Sequence, residues 1–150
     1  MEAALNSKSG ARRSQKLVTY YNLGLAYRAM GDISAAESAF STVVSLATRH
    51  EGAWIQLAYI ALDRRRPEEA MSLAERAAVI GGQGFHYRVI MGMAAMAIGD
   101  VPAARRHARL AIKTPWQDQT LFCLLGDIAA ASDMPVQKVY FDRRCPLPRQ

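Results

Sequence analysis

The sequence predicts an all-α chain built as a solenoid of antiparallel helix pairs. Three observations carry this: a composition rich in helix formers, a pattern that repeats every 34 residues, and turn residues that recur at the same interval. The 150 residues are 51% hydrophobic and 21% charged, the balance of a folded chain with a core rather than a disordered one. Ala, Arg, Leu and Met dominate, and no alternating run of β-branched or aromatic residues suggests a strand, so helix is expected from Lys16 to Asp142.

The repeat is read column by column. Tyr20, Trp54, Arg88 and Phe122 form a bulky column in which only Arg88 is a misfit, and Leu23, Leu57, Met91 and Leu125 form a second. Gly24, Ala58, Gly92 and Gly126 form a small column, where a larger side chain would push paired helices apart. Ala36, Ala70 and Ala104 make the same demand from the following helix, and the pattern ends at Lys138. The turns fall at Gly31-Asp32, Arg65-Arg66 before Pro67, Gly99-Asp100 before Pro102, and Asp133 before Pro135. Gly suits the left-handed residue that closes a helix, Asp caps the next one, and Pro fits a first turn that has no use for its missing N–H. Glu68 and Glu69 favour the positive start of a helix. Arg49 to Gly52, Gly81 to Gly84 and Thr114-Pro115 separate one repeat from the next.

These residues resemble the tetratricopeptide repeat family, whose pattern of Trp/Tyr, Leu, Gly, Tyr, Ala, Phe, Ala and Pro is met by Tyr20, Leu23, Gly24, Tyr27, Ala36 and Phe40, and later by Trp54, Leu57, Ala70 and Ala77. The resemblance covers residues 17 to 142. It implies a right-handed α-solenoid of three full repeats and a partial fourth. Ala61 and Ala95 depart from the Tyr27 column, and in the fourth repeat Ala129 replaces the aromatic before a short second helix. Residues 1–16 read as a flexible basic N-terminal tail, 17–142 as the repeat domain and 143–150 as a C-terminal tail.

In the family the first helix of each pair lines the concave side. Carried over residue by residue, this makes Tyr21, Leu25 and Arg28, then Ile55, Tyr59 and Leu62, then Val89, Met93 and Met96 the expected groove, with Cys123, Asp127 and Ala130 in the fourth repeat. The Lys and Asn with which some family members clamp a C-terminal carboxylate are replaced here by Tyr21 and Leu25. The mostly apolar lining points to another protein as partner, offering an amphipathic helix or an extended apolar segment, with Met adding adaptability. The role implied is a chaperone or assembly adaptor, similar to the short repeat chaperones of bacterial secretion and pilus systems. The alternative is a scaffold that buries the same face in a homodimer, and a third reading is a helical-repeat protein associated with nucleic acid.

No enzymatic or cofactor chemistry is expected. His50, His86 and His107 fall in different repeats without a metal-ligand run, and Gly81-Gly82-Gln83-Gly84 lacks the Lys and Ser/Thr of a phosphate loop. No metal or cofactor is therefore predicted. The net charge of +6 is concentrated in the tails, at Lys8, Arg12, Arg13, Lys16, Arg143, Arg144 and Arg149. Of the remaining basic clusters, Arg64 to Arg66 is interleaved with Asp63, Glu68 and Glu69, and Arg105, Arg106 and Arg109 read as a solvated face, so no specific nucleic-acid binding is expected. No stretch is apolar enough for a membrane span or a signal peptide. Cys123 and Cys145 lie far apart in sequence, and a cytoplasmic chain with reduced thiols is the default reading, a disulfide between them the alternative.

Overall fold

The 34-residue interval reappears in the backbone as a single repeated hydrogen bond. In the computed structural model, which describes residues 2–115 and 118–145, Asp32 N–H donates to the Tyr27 carbonyl, Arg66 to Ala61, Asp100 to Ala95 and Met134 to Ala129, all at 2.8–3.0 Å. This is the six-to-one bond that ends a helix through a left-handed residue. The left-handed position is Gly31 (φ 82°), Arg65 (φ 57°), Gly99 (φ 82°) and Asp133 (φ 54°) in turn. Each bond closes the first helix of a pair and aims the chain back along it.

Eight helices result among the described residues: α1 (Glu2–Ala29), α2 (Ile33–Leu46), α3 (Glu51–Asp63), α4 (Pro67–Gly81), α5 (Phe85–Ala97), α6 (Val101–Ile112), α7 (Gln119–Ala131) and α8 (Pro135–Asp142). No strand occurs among them. The expected aspartate caps are present, with Asp32 accepting from Ala35 N–H at 3.0 Å and Asp100 from Ala103 N–H at 2.9 Å. His50 Nδ1 caps α3 in the same way, accepting from Ala53 N–H at 3.1 Å. α4 has no side-chain cap and starts instead on Pro67 with Glu68 and Glu69 in its first turn.

Helices pack on their sequence neighbours, and in addition α3 touches α5 and α5 touches α7, so the first helices of successive pairs lie side by side. That is the contact pattern of a solenoid, in which each unit meets only the adjacent ones. The core is accordingly a chain of small clusters. Ala36, Phe40 and Val43 of α2 meet Ala53, Leu57 and Ile60 of α3. Ala58, Tyr59 and Ala61 then meet Ala70, Ala74 and Ile90, and further clusters join α5, α6 and α7. The small columns serve as predicted, since Gly24, Ala58, Gly92 and Gly126 are all buried, as are Ala36, Ala70 and Ala104.

The bulky column shows why a solenoid needs neighbours. Leu57 packs against the helix pair before it and is 7% exposed, whereas its counterpart Leu23 has no pair before it and is 40% exposed. α1 also differs in extent from its three counterparts. Residues 2–16, set apart above as a tail, continue it as helix, and Arg13 reaches from this extension to the Leu46 carbonyl at the end of α2. Ala, Leu, Glu, Lys and Arg, all good helix formers, make up much of the added segment. At the other end, residues 146–150 of the expected C-terminal tail, Arg149 included, lie outside the described residues.

The default expectation of reduced thiols is not met. Cys123, buried on α7, forms a disulfide with Cys145, just beyond α8, across a Cα–Cα distance of 4.8 Å. Their 22-residue separation is one helix pair, and the hairpin of α7 and α8 brings its two ends together. Distance along the chain concealed proximity in space.

Candidate concave interaction surface

The side-by-side first helices α1, α3, α5 and α7 present the twelve positions expected to line a groove, and the structure sorts them into three kinds. Some are core. Val89 is fully buried with Phe85, Ala111 and Leu121, and Tyr59 is only 7% exposed, so neither can line an open surface. Both correct the expectation because neighbouring helices close over them, α6 and α7 over Val89, α5 and the Arg28 side chain of α1 over Tyr59. Cys123 is withdrawn likewise, by burial and by its disulfide.

A second group is half-buried. Tyr21 turns toward the first core cluster, with its ring 5.6 Å from that of Phe40 and 4.9 Å from that of His50. Its hydroxyl would lie 2.9 Å from a Cβ on residue 52, a close approach that Gly52 avoids. Ile55 and Leu62 pack against the second cluster, Met96 against the third, and Met93 against three of the four. These side chains offer an edge to the groove while anchoring the fold.

The third group faces solvent: Leu25, 39% exposed, with Asp127 and Ala130. Arg28 is half-buried. Its guanidinium donates to Gln56 Oε1 at 2.7 Å, lies 3.7 Å from the Asp63 carboxylate and sits over the Tyr59 ring, 5.2 Å from its centroid. Such a site uses the planar cation for an ion pair, a hydrogen bond and a ring contact at once. The inner surface is therefore mixed in character and not the oily strip expected from sequence, with Leu25 and the edges of Ile55, Leu62 and Met96 set around a polar centre of Arg28, Gln56 and Asp63.

Burial holds the Asp63 carboxyl above its usual range, and the charge and hydrogen bond of Arg28 oppose that shift. Burial also pushes the Tyr59 phenol above its ordinary range, with the Asp118 carboxylate adding to the shift and a hydrogen bond with Thr120 and the charge of Arg28 working against it. The Tyr59 hydroxyl is paired with His86 Nδ1 at 3.1 Å. Tyr59, His86 and Thr120 thus tie three successive first helices together beneath the groove. Sequence reasoning missed this polar layer because Tyr59 lies outside the column that His86 and Thr120 share; the available signals were that 34-residue spacing and Tyr59, the sole aromatic among the groove positions of the second repeat.

Of the basic clusters, Arg64 and Arg66 both pair with Glu37, and Arg66 also with Glu69. Among the described residues no group of three His, Cys, Asp or Glu side chains is placed to hold a metal ion, and no helix is long and apolar enough to cross a membrane.

Comparison with known proteins agrees with this architecture. Residues 17–50 match the family model described as tetratricopeptide repeat. A chain of the APC/C hetero-tetramer Cut9-Hcn1 superposes with a TM-score of 0.76 at 21% identity, over 96% of this chain and 28% of that one, so the present chain spans little more than a quarter of its length. The MamA protein superposes with a TM-score of 0.64 at 17% identity, covering 88% of this chain and 72% of that one. The MamA RS-1 ArsTM double mutant gives 0.66 at 16% identity, over 94% and 84%. No curated protein is significantly similar in sequence. The chain is a helical-repeat solenoid, and its first complete repeat, residues 17–50, is the segment similar to the tetratricopeptide repeat family.

Proposed function

We propose that the chain is a protein-interaction module that takes an amphipathic segment of a partner polypeptide along its concave face, in the role of a chaperone or assembly adaptor. The observation that carries this reading is the juxtaposition of exposed Leu25 with the Arg28–Asp63 pair on adjacent first helices. A guest with one apolar and one polar face would meet both, whereas a purely apolar segment would leave Arg28 and Asp63 desolvated without new partners. The fold itself supports the reading, because solenoids of this kind present extended concave surfaces. One similar structure is named as a hetero-tetramer, an assembly of unlike chains.

The test is site-specific photocrosslinking in the native host, with the crosslinker at Leu25 or Ala130 and, for comparison, at Val79 on the outer face, which is 86% exposed. Adducts to one partner from the two inner positions and none from Val79 support the groove. Equal adducts from Val79, or none from Leu25 and Ala130, refute it. In the same assay Leu25→Asp should abolish the adduct formed from Ala130 while leaving the helical circular dichroism unchanged.

Self-association is the second reading, favoured by Tyr20, Leu23 and Met30 of α1, exposed at 37%, 40% and 78%. A molar mass that doubles with concentration in light scattering, and reverts in Leu23→Lys, would establish it. As to compartment, the Cys123–Cys145 bond favours a setting that oxidises thiols over the cytoplasm first expected.

A further inference from the structure

A cleft between α6 and the turn from α7 to α8 gathers three arginines, none of them in an ion pair among the described residues. Pro102, Arg105, Arg106 and Arg109 line one wall, Ser132 and Met134 the other, and the cavity measures about 680 Å³. That lies within the roughly 300–1,000 Å³ typical of sites that hold a ligand. Arg105 and Arg109 are one turn apart on α6, with Arg106 three residues before Arg109, so the three side chains share one face of the helix.

Pairing separates these arginines from the three that are held in ion pairs. Arg28, Arg64 and Arg66 each have a carboxylate partner in Asp63, Glu37 or Glu69. Arg105 instead donates to a neutral hydroxyl, Ser132 Oγ, at 2.6 Å, which positions its guanidinium without cancelling its charge. Arg106 and Arg109 are exposed, and no described carboxylate forms an ion pair with either. The potential is felt nearby: His107 is held below its ordinary range by burial, then by the charges of Arg88 and Arg106.

We propose that this cleft docks an extended acidic segment of a partner protein, its carboxylates held by Arg106 and Arg109 and an intervening apolar side chain resting on Met134. The guanidinium fork matches a carboxylate in two parallel hydrogen bonds. Met134, 40% exposed, and Pro102 give the segment an apolar footing beside the charges. A nucleic acid fits less well, since no aromatic side chain lines the cleft to stack a base.

The proposal is tested on the full chain by fluorescence anisotropy with a labelled peptide of alternating Glu and Leu, its Gln-for-Glu analogue, and a single-stranded oligouridylate of equal charge. At roughly physiological salt, about 0.15 M, the Glu peptide should bind. Arg106→Glu and Arg109→Glu should each weaken it about tenfold, while Arg49→Glu, the same charge change at the outer groove between α2 and α4, should alter it less than about twofold. The Gln analogue should lose about as much as the variants. Equal loss in Arg49→Glu would mean diffuse charge attraction and overturn the proposal. So would an oligouridylate that binds as tightly, or a chain that dimerises by light scattering and returns to monomer in Arg106→Glu. Loss caused by Leu25→Asp with none in Arg106→Glu would place the peptide on the concave face, and would leave the groove reading standing while this one fell.

Discussion

Replacing Gly24 with Ala adds one methyl group to the tightest contact between α1 and α2. A Cβ built there would lie 2.7 Å from both Cε1 and Cζ of Phe40 and 2.9 Å from Cδ1, closer than carbon atoms pack. The Phe40 ring cannot step back, because it is fully buried among Ala36, Val43 and Leu57 with the Tyr21 ring against it. Overpacking of this kind costs about 1–3 kcal/mol, and three contacts below 3.0 Å with a ring place it in the upper half of that span. Alanine's better helix propensity returns up to about 1 kcal/mol. The net expectation is a loss of about 1–2 kcal/mol, lowering the melting temperature by roughly 2–8 °C for a chain of this length. Urea titration followed by circular dichroism measures it. Phe40→Leu removes Cε1 and Cζ, so in that background Gly24→Ala should cost at least about 1 kcal/mol less than in the wild type. A Gly24→Ala chain as stable as wild type, or strict additivity with Phe40→Leu, would refute the claim that the small column is set by steric contact.

Three further outcomes follow from features described above. Arg65→Gly should stabilise the chain by up to about 1 kcal/mol in the same titration, because Arg65 holds a left-handed φ of 57° that a side chain disfavours; Asp133→Gly should gain less, aspartate tolerating that region better. Reduction of the disulfide, which closes a loop of 22 residues, should cost about 3 kcal/mol and raise hydrogen exchange in α8 while α2 to α4 keep their protection; unchanged exchange in α8 would show the bond to be incidental. His107 is kept neutral in the folded chain by burial and by Arg88 and Arg106, so as pH falls below the ordinary value of about 6.5 the unfolded chain gains its proton first. Stability should therefore decline with falling pH until the lower folded value is passed. His107→Leu, which also removes a buried Nδ1 lacking a hydrogen-bond partner, should flatten that segment of the profile.

The fold was legible because it is periodic. A glycine or alanine column, a turn every 34 residues and a cap after each turn are local requirements, and each leaves a residue-type signature at a fixed offset. The αL conformations of Arg65 and Asp133 show the limit of that logic, since the position kept its backbone while losing its glycine. The candidate surface was less legible. Helical spacing puts Tyr59 and Leu25 in equivalent columns, yet Tyr59 has helices on both sides and is sealed, whereas Leu25 belongs to the first pair and remains open. Position within the array, not periodic phase, decided exposure. The Cys123–Cys145 bond and the Arg28 contacts with Gln56 and Asp63 span 22 to 35 residues and depend on how pairs stack, which no single repeat encodes.

A structure held together by adjacent contacts comes undone like a zipper, from whichever end is least secured. Here the two ends differ, for α8 is covalently tied back to α7 whereas α1 meets its neighbours through reversible contacts alone. Thermal fluctuation should part α1 from α2 more readily than α8 from α7, and with α1 would go Leu25 and Arg28. A guest lying along the inner curve would then be held more steadily at the α7 end than at the α1 end, so that its escape rate reports on the parting of α1 and α2.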